Sequence, residues 1–104
     1  MGIVITIPAD EAQAIRSRET DTQPTLQELQ DLVDGYIEQV PGWLDYVGKP
    51  CVVYCNEDGK QRELPINKRA TRQWWAKLGG GPLSDVLVGD IVLVVDLPDK
   101  DEEE

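Results

Sequence analysis

Apolar residues recur along this chain with two spacings, one of strands and one of helices. Ile3-Val-Ile-Thr-Ile7 is β-branched at every position and predicts a strand that Pro8 ends. From Ala9 to Pro24 the chain is polar, mixed in charge and without a clear period; Ala12 to Arg18 within it suits a short helix or a second strand. Leu26, Leu29 and Val33 then follow at spacings of three and four, with Leu32 widening the stripe, and predict a helix over 26–34. Its start is marked by Thr25-Leu-Gln-Glu28, the pattern of a capping box, in which hydroxyl and carboxylate satisfy amides left free at a helix start. Gly35 stands where a left-handed C-cap is expected.

Tyr36 to Val40 reads as a strand entered directly from that cap, and Pro41 to Pro50 as a loop carrying Trp43 and Tyr46. Cys51 to Cys55 is an apolar strand, Asn56-Glu-Asp-Gly59 has the composition of a hairpin turn, and 60–64 is expected to return as an edge strand. After Pro65, Asn67 suits an N-cap for a second helix over about 68–78, with Ala70, Trp74 and Leu78 on its buried side. Gly79-Gly-Gly-Pro82 stops that helix. Gly89-Asp90 predicts a turn or bulge before 91–95, an unbroken apolar strand buried on both faces. The expected architecture is one α+β domain over 1–98, with a mixed or mostly antiparallel sheet of four to six strands and two helices on one face. An acidic C-terminal tail over 99–104 follows it. No internal repeat is visible.

Composition narrows the class. A chain of 104 residues supports one core and not two, and with no Phe that core is built from Val, Ile and Leu. Ile91 to Val95, the longest apolar run, is far short of the roughly 20 residues of a membrane span. No basic residue precedes the short apolar run at the N-terminus, unlike a secretory leader, so a cytoplasmic location is expected. The only cysteines, Cys51 and Cys55, lie roughly 13 Å apart if they share a strand, too far for a disulfide, and read as buried structural thiols in a reducing compartment.

Charge adds a second picture. Twenty acidic residues against ten basic give a net charge of −10, which opposes general phosphate-backbone binding. Six of the ten basic residues (Lys60, Arg62, Lys68, Arg69, Arg72, Lys77) lie within 60–77 with Glu63 the only acid, so the segment carries +5 and the rest of the chain −15. Arg69 and Arg72 share a helical face, which either grips a phosphate or carboxylate at the helix start or is simply a solvated face answering acidic neighbours. Trp74 belongs to the apolar stripe, whereas Trp75 points about 100° away and either caps the sheet or offers a stacking surface. The acidic residues likewise serve solubility or imitate a phosphate array that occupies a basic groove. With no histidine, no nucleophile motif around Ser17 or Ser84 and no phosphate-binding glycine loop, no catalytic residues, metal ligands or cofactor are assigned.

Several stretches carry a family likeness: Leu26-Gln-Glu-Leu-Gln30 with Val33 to Glu38, Val52 to Lys60, Leu64-Pro-Ile-Asn67 with Arg69 to Thr71, and Asp85 to Val95 through Val88-Gly-Asp90. Over these stretches the chain resembles a family of small bacterial, plasmid and phage proteins, domain of unknown function 3846 (DUF3846). The family pattern has a double glycine before the Tyr-Ile-Glu segment, and Asp34 stands at the first of those positions. The resemblance implies a mobile-element setting and no activity. The leading expectation is therefore a non-enzymatic phage or mobile-element accessory protein that binds a host or defence protein, or a small anionic ligand. Lys68, Arg69, Arg72 and Trp75 are the expected contacts, and the acidic surface is the other candidate face. A nucleic-acid-associated regulator using the 60–77 segment is the alternative.

Overall fold

The β-branched run at the N-terminus forms β1 (Gly2–Ile7), and the polar stretch after it returns as a second strand, β2 (Arg16–Thr20), antiparallel to β1. A computed structural model describes residues 2–80 and 85–97; the expected tail at 99–104 and the Pro82 helix stop lie outside the described residues. Next come α1 (Leu26–Val33), β3 (Ile37–Gln39), β4 (Asp45–Tyr46), β5 (Lys49–Asn56), α2 (Lys68–Lys77) and β6 (Ile91–Val95). Among the described residues the sheet runs β2-β1-β6-β5-β3, with β4 pairing the start of β5, and every strand pair is antiparallel.

Strand alternation decides where the helices sit. Ile5 and Ile7 of β1, Cys51 and Val53 of β5, and Ile91, Leu93 and Val95 of β6 pack with Ala70 and Trp74 of α2. The intervening residues Val4, Val92 and Val94 pack with Leu29 and Val33 of α1. Because successive side chains of a strand leave opposite faces, the two helices cover opposite faces of the sheet. The expectation of two helices on one face is thereby corrected. It also explains β6, whose five residues are all buried: a central strand with a helix above and below has no wet face, and each apolar side chain contributes roughly 1.5–3 kcal/mol of burial.

The helix ends follow the predicted chemistry with one exchange. The Glu28 amide donates to Thr25 Oγ1 (3.1 Å) and the Thr25 amide to Glu28 Oε1 (2.9 Å), so the capping box is complete. The Thr25 amide holds the Glu28 carboxyl below its ordinary range. At the other end Asp34, not Gly35, takes the left-handed C-cap conformation (φ 60, ψ 48), the position where the family pattern has its first glycine. Gly35 is needed for closeness instead, since a Cβ there would lie 2.5 Å from Asn56 Nδ2.

Two buried asparagines join the layers. Asn56 Nδ2 donates to the carbonyls of Val33 and Asp34, both at 3.0 Å, while its Oδ1 accepts from the Asp58 amide (2.8 Å). The last residue of β5 thus caps α1 and starts the next turn. Asn67, 0% exposed, N-caps α2 through the Ala70 amide (3.0 Å) and donates from Nδ2 to Ile7 O (2.7 Å) and Gly89 O (2.9 Å). One side chain thereby ties β1, the segment before β6 and the start of α2.

Two further expectations change. Residues 60–64 are not a returning strand: the Asn56 turn continues through bonds from the Arg62 amide to Asp58 O and from the Leu64 amide to Gly59 O, with Glu63 at φ 55. The place beside β5 where such a strand would pair is taken by β3 and β6. Leu78 is the C-cap of α2 and 42% exposed, so the buried side of that helix ends at Trp74. Cys51 is buried and Cys55 half-buried; both are free. No helix among the described residues is long and apolar enough to cross a membrane.

Candidate functional site

Helix α2 carries the four residues expected to make contacts, and the fold sends them to different duties. Lys68 is exposed in the first turn, with no carboxylate in ion-pair range among the described residues. Arg69 reaches back over the end of β1: its Nη2 donates to the carbonyls of Pro8 (2.6 Å) and Asp10 (3.1 Å), and its Nε is buried without a partner among the described residues. Arg72 pairs with Glu11 at 3.5 Å. Trp75 packs on the core rather than standing free, and its Nε1 donates to the Asp85 carbonyl at 2.8 Å.

The remaining cations of the 60–77 segment are also matched one by one. Lys60 pairs with Asp85, Lys77 with Asp45 (3.0 Å) and Arg62 with Asp34 (3.4 Å). Arg62 also donates to the Asp34 carbonyl at 2.7 Å, a favourable place for a cation at the C-terminus of α1. Exposed pairs of this kind stabilise by at most about 1 kcal/mol each. Their consequence is geometric: four of the six cations in a segment that is +5 along the chain each sit beside a different carboxylate. Of the four expected contacts, Arg69 and Arg72 both turn to the Pro8–Glu11 segment, whereas Trp75 bonds the Asp85 carbonyl.

A concave site does form beside α2, from other residues. A cavity of about 410 Å³ opens on the α2 side of the sheet at the β3 edge, among Glu38, Cys55, Glu57, Lys60, Trp74 and Asp85. Glu38 faces it because its neighbour Ile37 packs on the α1 side, and because the register sets Glu38 opposite Cys55. Val40, Trp74 and Leu87, all buried, supply apolar wall. Lys60 is held by Asp85, and its hydrogen bond keeps the Asp85 carboxyl below the ordinary range. Glu38 and Glu57 have no cation in ion-pair range among the described residues. Three carboxylates against one engaged ammonium make the cavity anionic. Burial, and then the charge of Glu38, push the Cys55 thiol up to about 11, so it is a protonated wall group at neutral pH and not a nucleophile.

No local sequence pattern marks this cavity. Glu38, Glu57 and Asp85 lie far apart in the chain, and only the β3–β5 register and the path of 85–88 bring them together. A second, shallower cavity of about 260 Å³ lies under β2, lined by Val4, Thr6, Arg16, Ser17, Arg18 and Leu32. Arg18 there is already bonded to Glu28 at 3.1 Å. Among the described residues no group of three histidine, cysteine or carboxylate side chains is placed to hold a metal ion.

Comparison with known proteins fits the pattern of motifs. No curated protein and no solved structure shows significant similarity to the chain. One family model, described as domain of unknown function (DUF3846), matches residues 3–104, and so takes in β1 and β2 as well as the motifs from Leu26 onward. By that match over nearly its full length, the chain belongs to the DUF3846 family.

Proposed function

We propose that this DUF3846 protein is a non-enzymatic accessory protein of a phage or mobile element, working in the cytoplasm by binding a host or defence protein through acidic surface. The observation that carries this reading is the pairing pattern. Among the described residues the cations of α2 and the turn before it are engaged singly, by carboxylates or by backbone carbonyls, with Lys68 the exception. Among the described residues, nine of fifteen acidic side chains have no cation in ion-pair range, so the charge offered to a partner is negative. Negative surface steers and orients a basic partner, and it repels nucleic acid.

A small anionic ligand is the second reading, favoured by one feature, the placement of Arg16 and Arg18 on the same face of β2 beside Thr6. The nucleic-acid alternative has the weaker footing, because its expected contacts Arg69 and Arg72 are engaged with Pro8, Asp10 and Glu11. The test is a tagged protein expressed in a bacterial host. It should retain a stoichiometric protein partner at low salt and release it as salt rises, while duplex and single-stranded DNA and RNA stay unshifted. A nucleic-acid shift at low salt that disappears in Lys68→Glu/Arg72→Glu would overturn it.

A further inference from the structure

We propose that the cavity beside β3 is a receptor for an arginine or lysine side chain carried by an extended basic segment of a protein partner. This rests on the reading of the protein as an acidic binder, and names the site and the chemistry it accepts. Charge comes first. Among the described residues Glu38, Glu57 and Asp85 line the cavity with Lys60 the one cation, and Lys60 is bonded to Asp85. Glu38, one oxygen of which accepts a long bond from the Cys55 thiol (4.0 Å), and Glu57 are the carboxylates with no cation in ion-pair range among the described residues, and an incoming anion would meet both.

Shape is the second element. A volume of about 410 Å³ lies near the lower end of the usual ligand-cleft range, about 300–1,000 Å³, and suits a side chain better than a large cofactor. Its apolar walls, Val40, Leu87 and Trp74, match the aliphatic stem of arginine or lysine, whose head then reaches the carboxylates at the rim.

The third element is the sheet edge. β3 ends the strand order. The Tyr36 carbonyl accepts from the Glu57 amide and the Val40 amide donates to the Val53 carbonyl, both at 2.8 Å, so the even-numbered residues bond toward β5. Ile37 and Gln39 accordingly direct their amides and carbonyls to the open edge. An extended segment laid along that edge would bond these groups, and its alternate side chains would fall on the α2 side, where the cavity opens. Edge pairing supplies sequence-independent affinity, and the acidic cavity selects a cation at one position.

The probe is a blocked peptide alternating arginine and valine, with a glutamate-for-arginine peptide as control. Amide resonances of 37–39, 55–57 and 85–88 should shift with the arginine peptide only, and alkylation of Cys55 at alkaline pH should slow when it is bound. Glu38→Gln/Glu57→Gln changes two exposed side chains, and its melting temperature should match the parent. It should weaken the arginine peptide about tenfold. No shift with the arginine peptide, shifts elsewhere, or equal affinity in the double variant would each overturn the proposal. If a protein partner is still retained by Glu38→Gln/Glu57→Gln at undiminished affinity, the cavity assignment fails while the acidic-binder reading stands. A nucleic-acid partner would remove that reading itself.

Discussion

Asn67 is the most exacting test of how this fold is held together. Its Nδ2 faces two carbonyl oxygens, Ile7 at 2.7 Å and Gly89 at 2.9 Å, and its Oδ1 faces the Ala70 amide at 3.0 Å. Carbonyls only accept and amides only donate, so the orientation of the side-chain amide is fixed by its partners. Asn67→Ala removes the cap, about 1 kcal/mol, and leaves two buried carbonyls each short of a donor, about 1 kcal/mol or more apiece. The sum, about 3–4 kcal/mol, is a large share of the roughly 5–15 kcal/mol that holds an ordinary domain. Asn67→Asp keeps the volume and the Ala70 bond but turns a carboxylate oxygen toward both carbonyls. Burial and those two dipoles raise the pKa of the introduced carboxyl above the ordinary value of about 3.9. A group whose folded pKa is raised costs least below its unfolded value, and the cost grows as pH rises through the folded value. Urea denaturation followed by tryptophan fluorescence, at about pH 4 and about pH 7, should therefore show Asn67→Asp at least as damaging as Asn67→Ala at neutral pH, and partly recovered in acid. Stability of Asn67→Asp within about 1 kcal/mol of the parent at both pH values would refute this account of the junction.

Other expectations follow from single features. Val47 and Gly48 both have positive φ (51 and 79) in the two-residue connection of β4 to β5, the signature of a type I′ turn, and Val47 is 81% exposed. Val47→Asn should relieve that strain and stabilise by about 1 kcal/mol, read as a melting point higher by several degrees; an unchanged melt would contradict it. Trp74 Nε1 donates to the Pro41 carbonyl at 2.7 Å, whereas Trp43 Nε1 is buried without a partner among the described residues. Trp74→Phe should thus cost about 1–2 kcal/mol more than Trp43→Phe in denaturant unfolding, and equal costs would show that the Pro41 bond contributes nothing. The Cys55 thiol, raised from 9.0 to about 11, favours the fold while it stays protonated. The stability advantage of the parent over Cys55→Ala should hold below pH 9.0 and diminish as pH rises toward about 11, and iodoacetamide should label Cys55 slowly at neutral pH.

Local chemistry was legible wherever one short segment determines its own conformation. Thr25 and Glu28 close the capping box without help from the rest of the chain, Asn67 lies at an N-cap, and Ile91–Val95 is apolar at every position because both its faces are covered. The α+β class and the antiparallel sheet follow from such elements taken in order. Legibility fails where an outcome depends on what lies across space. The polar residues Arg16–Thr20 form a strand because β1 offers an edge to pair with, although their own pattern has no period. Residues 60–64 turn instead of returning, because the positions beside β5 are already filled by β3 and β6.

The site shows the same division more sharply. Sequence by itself determined how much charge the chain carries and that six cations crowd into 60–77. Only the tertiary structure decided that Asp85, Asp34, Glu11 and Asp45 come to meet four of those cations, and that Glu38 and Glu57 are left facing a cavity. Net charge is a sum over residues and needs no coordinates, whereas pairing falls off within a few ångströms and depends on strand register and helix placement.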